Sequence, residues 1–180
     1  MNSKTARLTT TLLATWMTLA AASAIAQVRA QRGAEDPNNP CGMIYTNHYG
    51  PIDFRTQKNS LKVVEDFHFT PNVEALTSAQ SGYIGGDLNY TLRAAPNHAR
   101  ALLAVTRWAE KSKADQTRGM DFPVECYFDR AIRYAPDDTV VRALYARFLH
   151  QRKRTEEGLK QLDTAVTLAK DNAISHYNIG

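Results

Sequence analysis

Two stretches of this chain end in the same way. RAIRYAPDD (130–138) and TAVTLAKDN (164–172) each carry a helical apolar pattern into an alanine, followed by a turn with two polar residues. Aligning them sets Pro136 against Lys170, 34 residues on. An earlier stretch, LRAAPNH (92–98), ends likewise at Pro96, 40 residues before Pro136, the excess being taken up by the polar loop SKADQT (112–117). A helix–turn–helix unit recurring at this interval cannot bury its apolar face alone and has to stack on its neighbours. The chain is therefore expected to be all-α and built from repeated helix pairs.

The individual helices are read from apolar spacing and end signals. Leu61, Val64 and Phe67 predict a short helix near 57–67. Thr70-Pro71 is a start signal, with proline at the first helical position. Gly85-Gly86-Asp87 reads as a break, with Asp87 capping the helix DLNYTLRAA. Helices then follow over 97–111, 124–135 and 139–151, with Asp137-Asp138 as a cap before the last of these. Thr155 opens a further helix, whose Glu156 and Glu157 suit the positive end of the helix dipole.

Before residue 41 the chain reads differently. Lys4 and Arg7, an apolar run and Ala24-Ile25-Ala26 make a secretory signal peptide over 1–26, cleaved before Gln27. If it stayed uncleaved it would be the chain's one membrane anchor, so the expected location is periplasmic or secreted. QVRAQRGAEDPNNP (27–40) has no apolar period and reads as a flexible linker. Residues 1–26 hold two of the 22 basic residues and no acid, leaving 20 against 18 acids. That balance argues against nucleic acid or an anionic membrane as partner. The roughly 150 residues that remain are enough for one domain with a real core. Cys41 and Cys126 are allowed to pair in an oxidising compartment. Two unpaired thiols, one of them in a helix, are the alternative reading. Residues 41–69, rich in aromatics around Tyr49-Gly50-Pro51, are expected to be an ordered irregular segment with a short helix, capping the stack.

The region from residue 70 resembles the tetratricopeptide repeat family, and the whole chain looks like exported bacterial members of it. The pair 99–138 offers Leu102, Val105, Thr106 and Ala109, then Val124, Phe128, Ala131 and Pro136. The pair 139–172 offers Tyr145, Ala146, Leu149, Gly158, Leu162 and Ala165. These are small where helices must approach and large where a hole must be filled. Arg142 and Lys170 depart from the family's bulky residue and proline. Residues 70–98 match only loosely. HYNIG (176–180) matches the opening of a repeat begun at Ala173, so 173–180 reads as an incomplete unit, truncated within a repeat. The apolar surface around Leu159, Leu162, Val166 and Tyr177 is then under-covered, which predicts dimerisation or aggregation unless more chain follows.

The resemblance implies a solenoid whose first helices line a concave groove. The groove positions are Arg100, Leu103, Arg107, Glu110 and Lys111, then Val140, Ala143, Arg147, His150 and Gln151. Arg107 and Arg147 fall at equivalent positions, and guanidinium groups hold carboxylates bidentately. The implied activity is non-catalytic binding of a protein or peptide partner, acidic or through its C-terminus. The alternative for both arginines is solvation, or internal pairing with acids such as Glu110. The family's lysine and asparagine carboxylate clamp is not reproduced.

Motifs for chemistry are few. The five histidines show no zinc spacing, Glu65-Asp66-Phe67-His68 stands alone, and no phosphate loop, G-x-S-x-G or C-x-x-C occurs. The reading is no enzyme, no cofactor and no metal. The runner-up is an enzyme or ligand-binding protein with its site among Tyr45, His48, Tyr49 and Asp53. A structural fragment without independent activity is the third reading.

Overall fold

The computed structural model describes residues 35–46 and 48–169. The segments read as a signal peptide, as the first part of the linker and as an incomplete repeat from Ala173 lie outside the described residues. The chain divides into two units, 1–37 and 38–180, and the fold below is that of the second. Among the described residues there are seven helices and no strand. These are α1 (Lys58–His68), α2 (Pro71–Glu74), α3 (Ile84–Ala94), α4 (Ala99–Ser112), α5 (Val124–Tyr134), α6 (Thr139–Gln151) and α7 (Thr155–Ala169). None of them is long and apolar enough to cross a membrane.

The turns at Pro96 and Pro136 share one geometry. A residue before proline is kept out of the helical region, so α3 and α5 stop at that point. Ala95 and Ala135 take φ/ψ of −137°/86° and −131°/75°, and each bonds back to the carbonyl four residues earlier. Three residues on, His98 and Asp138 take −71°/95° and −79°/100° and cap the following helices. Asp138 accepts from the backbone N–H groups of Val140 and Val141, whereas His98 caps with its ring, Nδ1 accepting from Ala101 N–H. Asn97, fully buried, lies in the first of these turns and ties it to the second. Its Nδ2 donates to Asp53 and to Asp138, and its Oδ1 accepts from the Phe54 N–H.

Two expectations about helix starts are corrected. The helix expected to open at Asp87 opens at Ile84, and Asp87 lies inside it, buried. Its carboxylate accepts from the backbone N–H groups of Gln80 and Ser81 and meets His68, so it braces the preceding loop instead of capping α3. Gly85 is no break either. A Cβ there would stand 2.6 Å from the Arg118 carbonyl oxygen, so the glycine admits the 117–119 loop against the helix. Thr70-Pro71 does start a helix, but one of only four residues.

Most of the core forms one apolar cluster running from Phe69 and Val73 through Leu92, Leu102 and Phe128 to Val141 and Leu149. A second, smaller cluster joins Ile52 to Leu61, Val64 and Ala94. The segment 41–54 is fastened across α5. A disulfide joins Cys41 to Cys126, Arg130 donates to the Cys41 and Met43 carbonyls, and Arg133 donates to the Gly42 carbonyl. Arg130 is 1 % exposed. A guanidinium so deep is held only where carbonyls replace its lost water. Ile44 is buried in the same strap.

Candidate functional site

Eight of the ten groove positions divide between two surfaces that meet along α6. On the first, Leu103, Arg107 and Glu110 of α4 face Leu144, Arg147 and Gln151 of α6, over a floor of Thr106, Phe128 and Phe148. These rows meet because residues three and four apart on a helix share a face. The crevice encloses only about 10 Å³, so its rim offers a surface for a ligand to lie across and no pocket to enter.

The second surface is roomier. Val140, Ala143, Arg147 and His150 of α6 face Gly158, Leu159 and Leu162 of α7 across a cavity of about 510 Å³. The helices come close because Gly158 lacks a side chain: a Cβ there would stand 2.9 Å from the Ala146 carbonyl oxygen. The walls are mainly aliphatic, and Leu159 is 56 % exposed. Arg147 borders both surfaces.

Arg100 and Lys111 belong to neither. Arg100 is held by Glu74 and reaches Glu65, and it lies over the Phe69 ring. Lys111 donates to the Leu76 carbonyl at 2.8 Å. Both side chains are occupied in fastening α4 to the 65–76 region, a tertiary contact that the spacing of groove positions does not encode.

Arg107 and Arg147 are different. Both are exposed, and neither lies within salt-bridge distance of a carboxylate among the described residues. The Arg100 hydrogen bond, and more weakly the field of Arg107, holds the Glu74 carboxyl below its usual range. Other arginines of the same helices and turns are satisfied. Arg152 pairs with Asp115, and Arg154 is shared by Glu125 and Glu157. The hydrogen bond from Arg154 outweighs burial and keeps the Glu125 carboxyl low.

The aromatic cluster in 41–69 is dispersed over separate contacts. Tyr45 packs on Tyr134, and His48 Nδ1 donates to the Tyr49 carbonyl. The Tyr49 hydroxyl donates to the Ser60 carbonyl, and Asp53 is held by Arg55 and Asn97. His48 and Tyr49 do border a small cavity of about 170 Å³ with Asn89, Tyr90 and Arg93. Glu65 and His68 turn to different partners, His98 and Asp87. No group of three metal-ligating side chains converges among the described residues.

Sequence reasoning named Leu159 and Leu162 as under-covered and missed Leu144, which links the two surfaces. Its signal was its place one residue before Tyr145, on the face that meets α4. No protein-family model matches the chain, and neither the curated proteins nor the solved structures contain a significant match.

Proposed function

We propose that this chain is a non-catalytic interaction scaffold, a helical-repeat solenoid of the tetratricopeptide kind, that binds an acidic peptide segment of a protein partner across the face shared by α4 and α6. The observation that carries this reading is the pairing of Arg107 with Arg147. They stand at equivalent positions on the two helices and border one crevice, and neither lies within salt-bridge distance of a carboxylate among the described residues. A ligand carboxylate would pair with these guanidinium groups, each exposed contact contributing up to about 1 kcal/mol. Leu103 and Leu144 between them give an apolar strip for the peptide's side chains.

The working compartment is the periplasm or the extracellular space, reached through the signal peptide read in residues 1–26. The Cys41–Cys126 bond supports that reading, since such bonds persist in oxidising surroundings.

The test uses a fluorescein-labelled Glu-rich peptide with a free C-terminus, against a Gln-substituted, amidated control. Saturable binding of the first alone is expected. Arg107→Glu with Arg147→Glu should weaken it at least tenfold while leaving the thermal transition in place. Equal affinity of the variant removes the proposal.

A further inference from the structure

The structure shows how one helix of this chain is received by the pair before it. Among the side chains by which α6 lies on α4 and α5 are Leu144, in the crevice beside Leu103, and Tyr145 and Phe148, against the Phe128 ring at 5.1 and 5.5 Å. The Tyr145 hydroxyl then donates to Glu125 at 2.7 Å.

The open cavity between α6 and α7 is made by the corresponding positions of the following pair. The 34-residue alignment carries Glu125 to Leu159 and Phe128 to Leu162. The 40-residue offset carries Leu103 to Ala143, Arg107 to Arg147 and Glu110 to His150. All five counterparts line the cavity. The seat is therefore repeated, but its chemistry is changed. Where the filled seat has a carboxylate and an aromatic ring, the open one has two leucines, and where the filled rim carries Arg107 and Glu110, the open rim carries Arg147 and His150.

We propose that the α6/α7 cavity is a docking seat for an amphipathic helix of a partner protein, with aliphatic residues at i, i+1 and i+4 and acids at i+3 and i+7. The first three positions are those of Leu144, Tyr145 and Phe148 on α6, the helix whose fit is known. A tyrosine at i+1 would lose its carboxylate acceptor here, so an aliphatic residue belongs there. The acids take the places that Arg147 and Gln151 hold on α6, which face Arg107 and Glu110 in the filled seat and would face Arg147 and His150 in the open one. The charge of Arg147 has no partner within the described chain. This seat is distinct from the α4/α6 surface, and the two share Leu144 and Arg147.

The probe is a fluorescein-labelled, lactam-stapled peptide copying residues 139–151 with Tyr145→Leu, Arg147→Glu, Phe148→Leu and Gln151→Glu, titrated with the full chain. Saturable anisotropy is expected. Leu162→Asp in the protein should weaken it at least tenfold and Arg147→Glu at least fivefold, while Arg107→Glu leaves it unchanged. If Leu162→Asp loses its circular dichroism, Leu159→Asp at the exposed edge replaces it. The indifference to Arg107→Glu separates this test from that of the α4/α6 surface. Absence of saturation below about 1 mM overturns the proposal, as does binding that ignores both leucine variants. Binding that emerges only in an Ile179→Asp protein also overturns it, because the seat then belongs to the chain's own residues beyond Ala169.

Discussion

The amide of Asn97 donates to the carboxylate of Asp138 at 3.0 Å, so the turn that ends α3 holds the residue that caps α6. The other hydrogen of the same amide goes to Asp53, and the carbonyl oxygen takes the Phe54 N–H, which uses every polar group of the side chain. Three separated parts of the chain thus meet on one buried residue. The Asp53 carboxyl illustrates the balance. Burial alone would raise its pKa, yet the hydrogen bonds from Arg55 and Asn97 prevail and bring it down to about 2.

Replacing Asn97 with alanine should cost about 3 kcal/mol, because the Phe54 N–H and the Asp138 carboxylate each lose a buried partner at about 1–3 kcal/mol. Urea denaturation followed by circular dichroism measures it. A loss under about 1 kcal/mol would mean that solvent enters and replaces the amide.

His98 makes stability depend on pH. Burial, and then the Arg100 and Lys58 charges, lower its pKa from 6.5 to about 3. The Glu74 charge opposes this, but Nδ1 already accepts from Ala101 N–H, and a protonated ring would forfeit that bond. A histidine with a depressed folded-state pKa contributes stability that is present above its unfolded value and lost as pH falls. The loss should approach about 1.4 kcal/mol per pH unit below 6.5. Urea midpoints between pH 7 and 5 test it: His98→Gln should flatten the slope, and an unchanged slope assigns it to another group.

Gly85 carries the third expectation. On an exposed helix, glycine to alanine gains up to about 1 kcal/mol. Here the new Cβ would press on the Arg118 carbonyl and Thr117. Gly85→Ala should instead lower stability by about 2 kcal/mol, within the range for overpacking. A raised melting temperature would show that the 117–119 loop yields without cost.

What could be read beforehand and what could not divides along a physical line. The bounds of α4 to α7 were close because proline, the Asp138 cap and apolar spacing act over a few residues. α6 was read to the residue, Thr139–Gln151. Asp87 was misread as a cap because its acceptors are satisfied by a loop that folds back from Gln80, something no local pattern reports. Arg100 and Arg107 look alike in sequence, seven residues apart on one helix. Only the fold reveals that Glu74 takes the first and leaves the second. The buried Arg130 gave no signal, since its acceptors are backbone carbonyls almost 90 residues away.

The Cys41–Cys126 bond also sets the chain's covalent topology. It makes a closed ring of residues 41–126, with α1 to α4 inside it, and leaves α6 and α7 as a tail attached through α5. A protease cut in the exposed 113–119 stretch would open the ring without separating the pieces, so the nicked protein would run intact on a gel until reduced. The tail has no such tether. A cut at Arg152-Lys153-Arg154 would free α7, and with it one wall of the open seat.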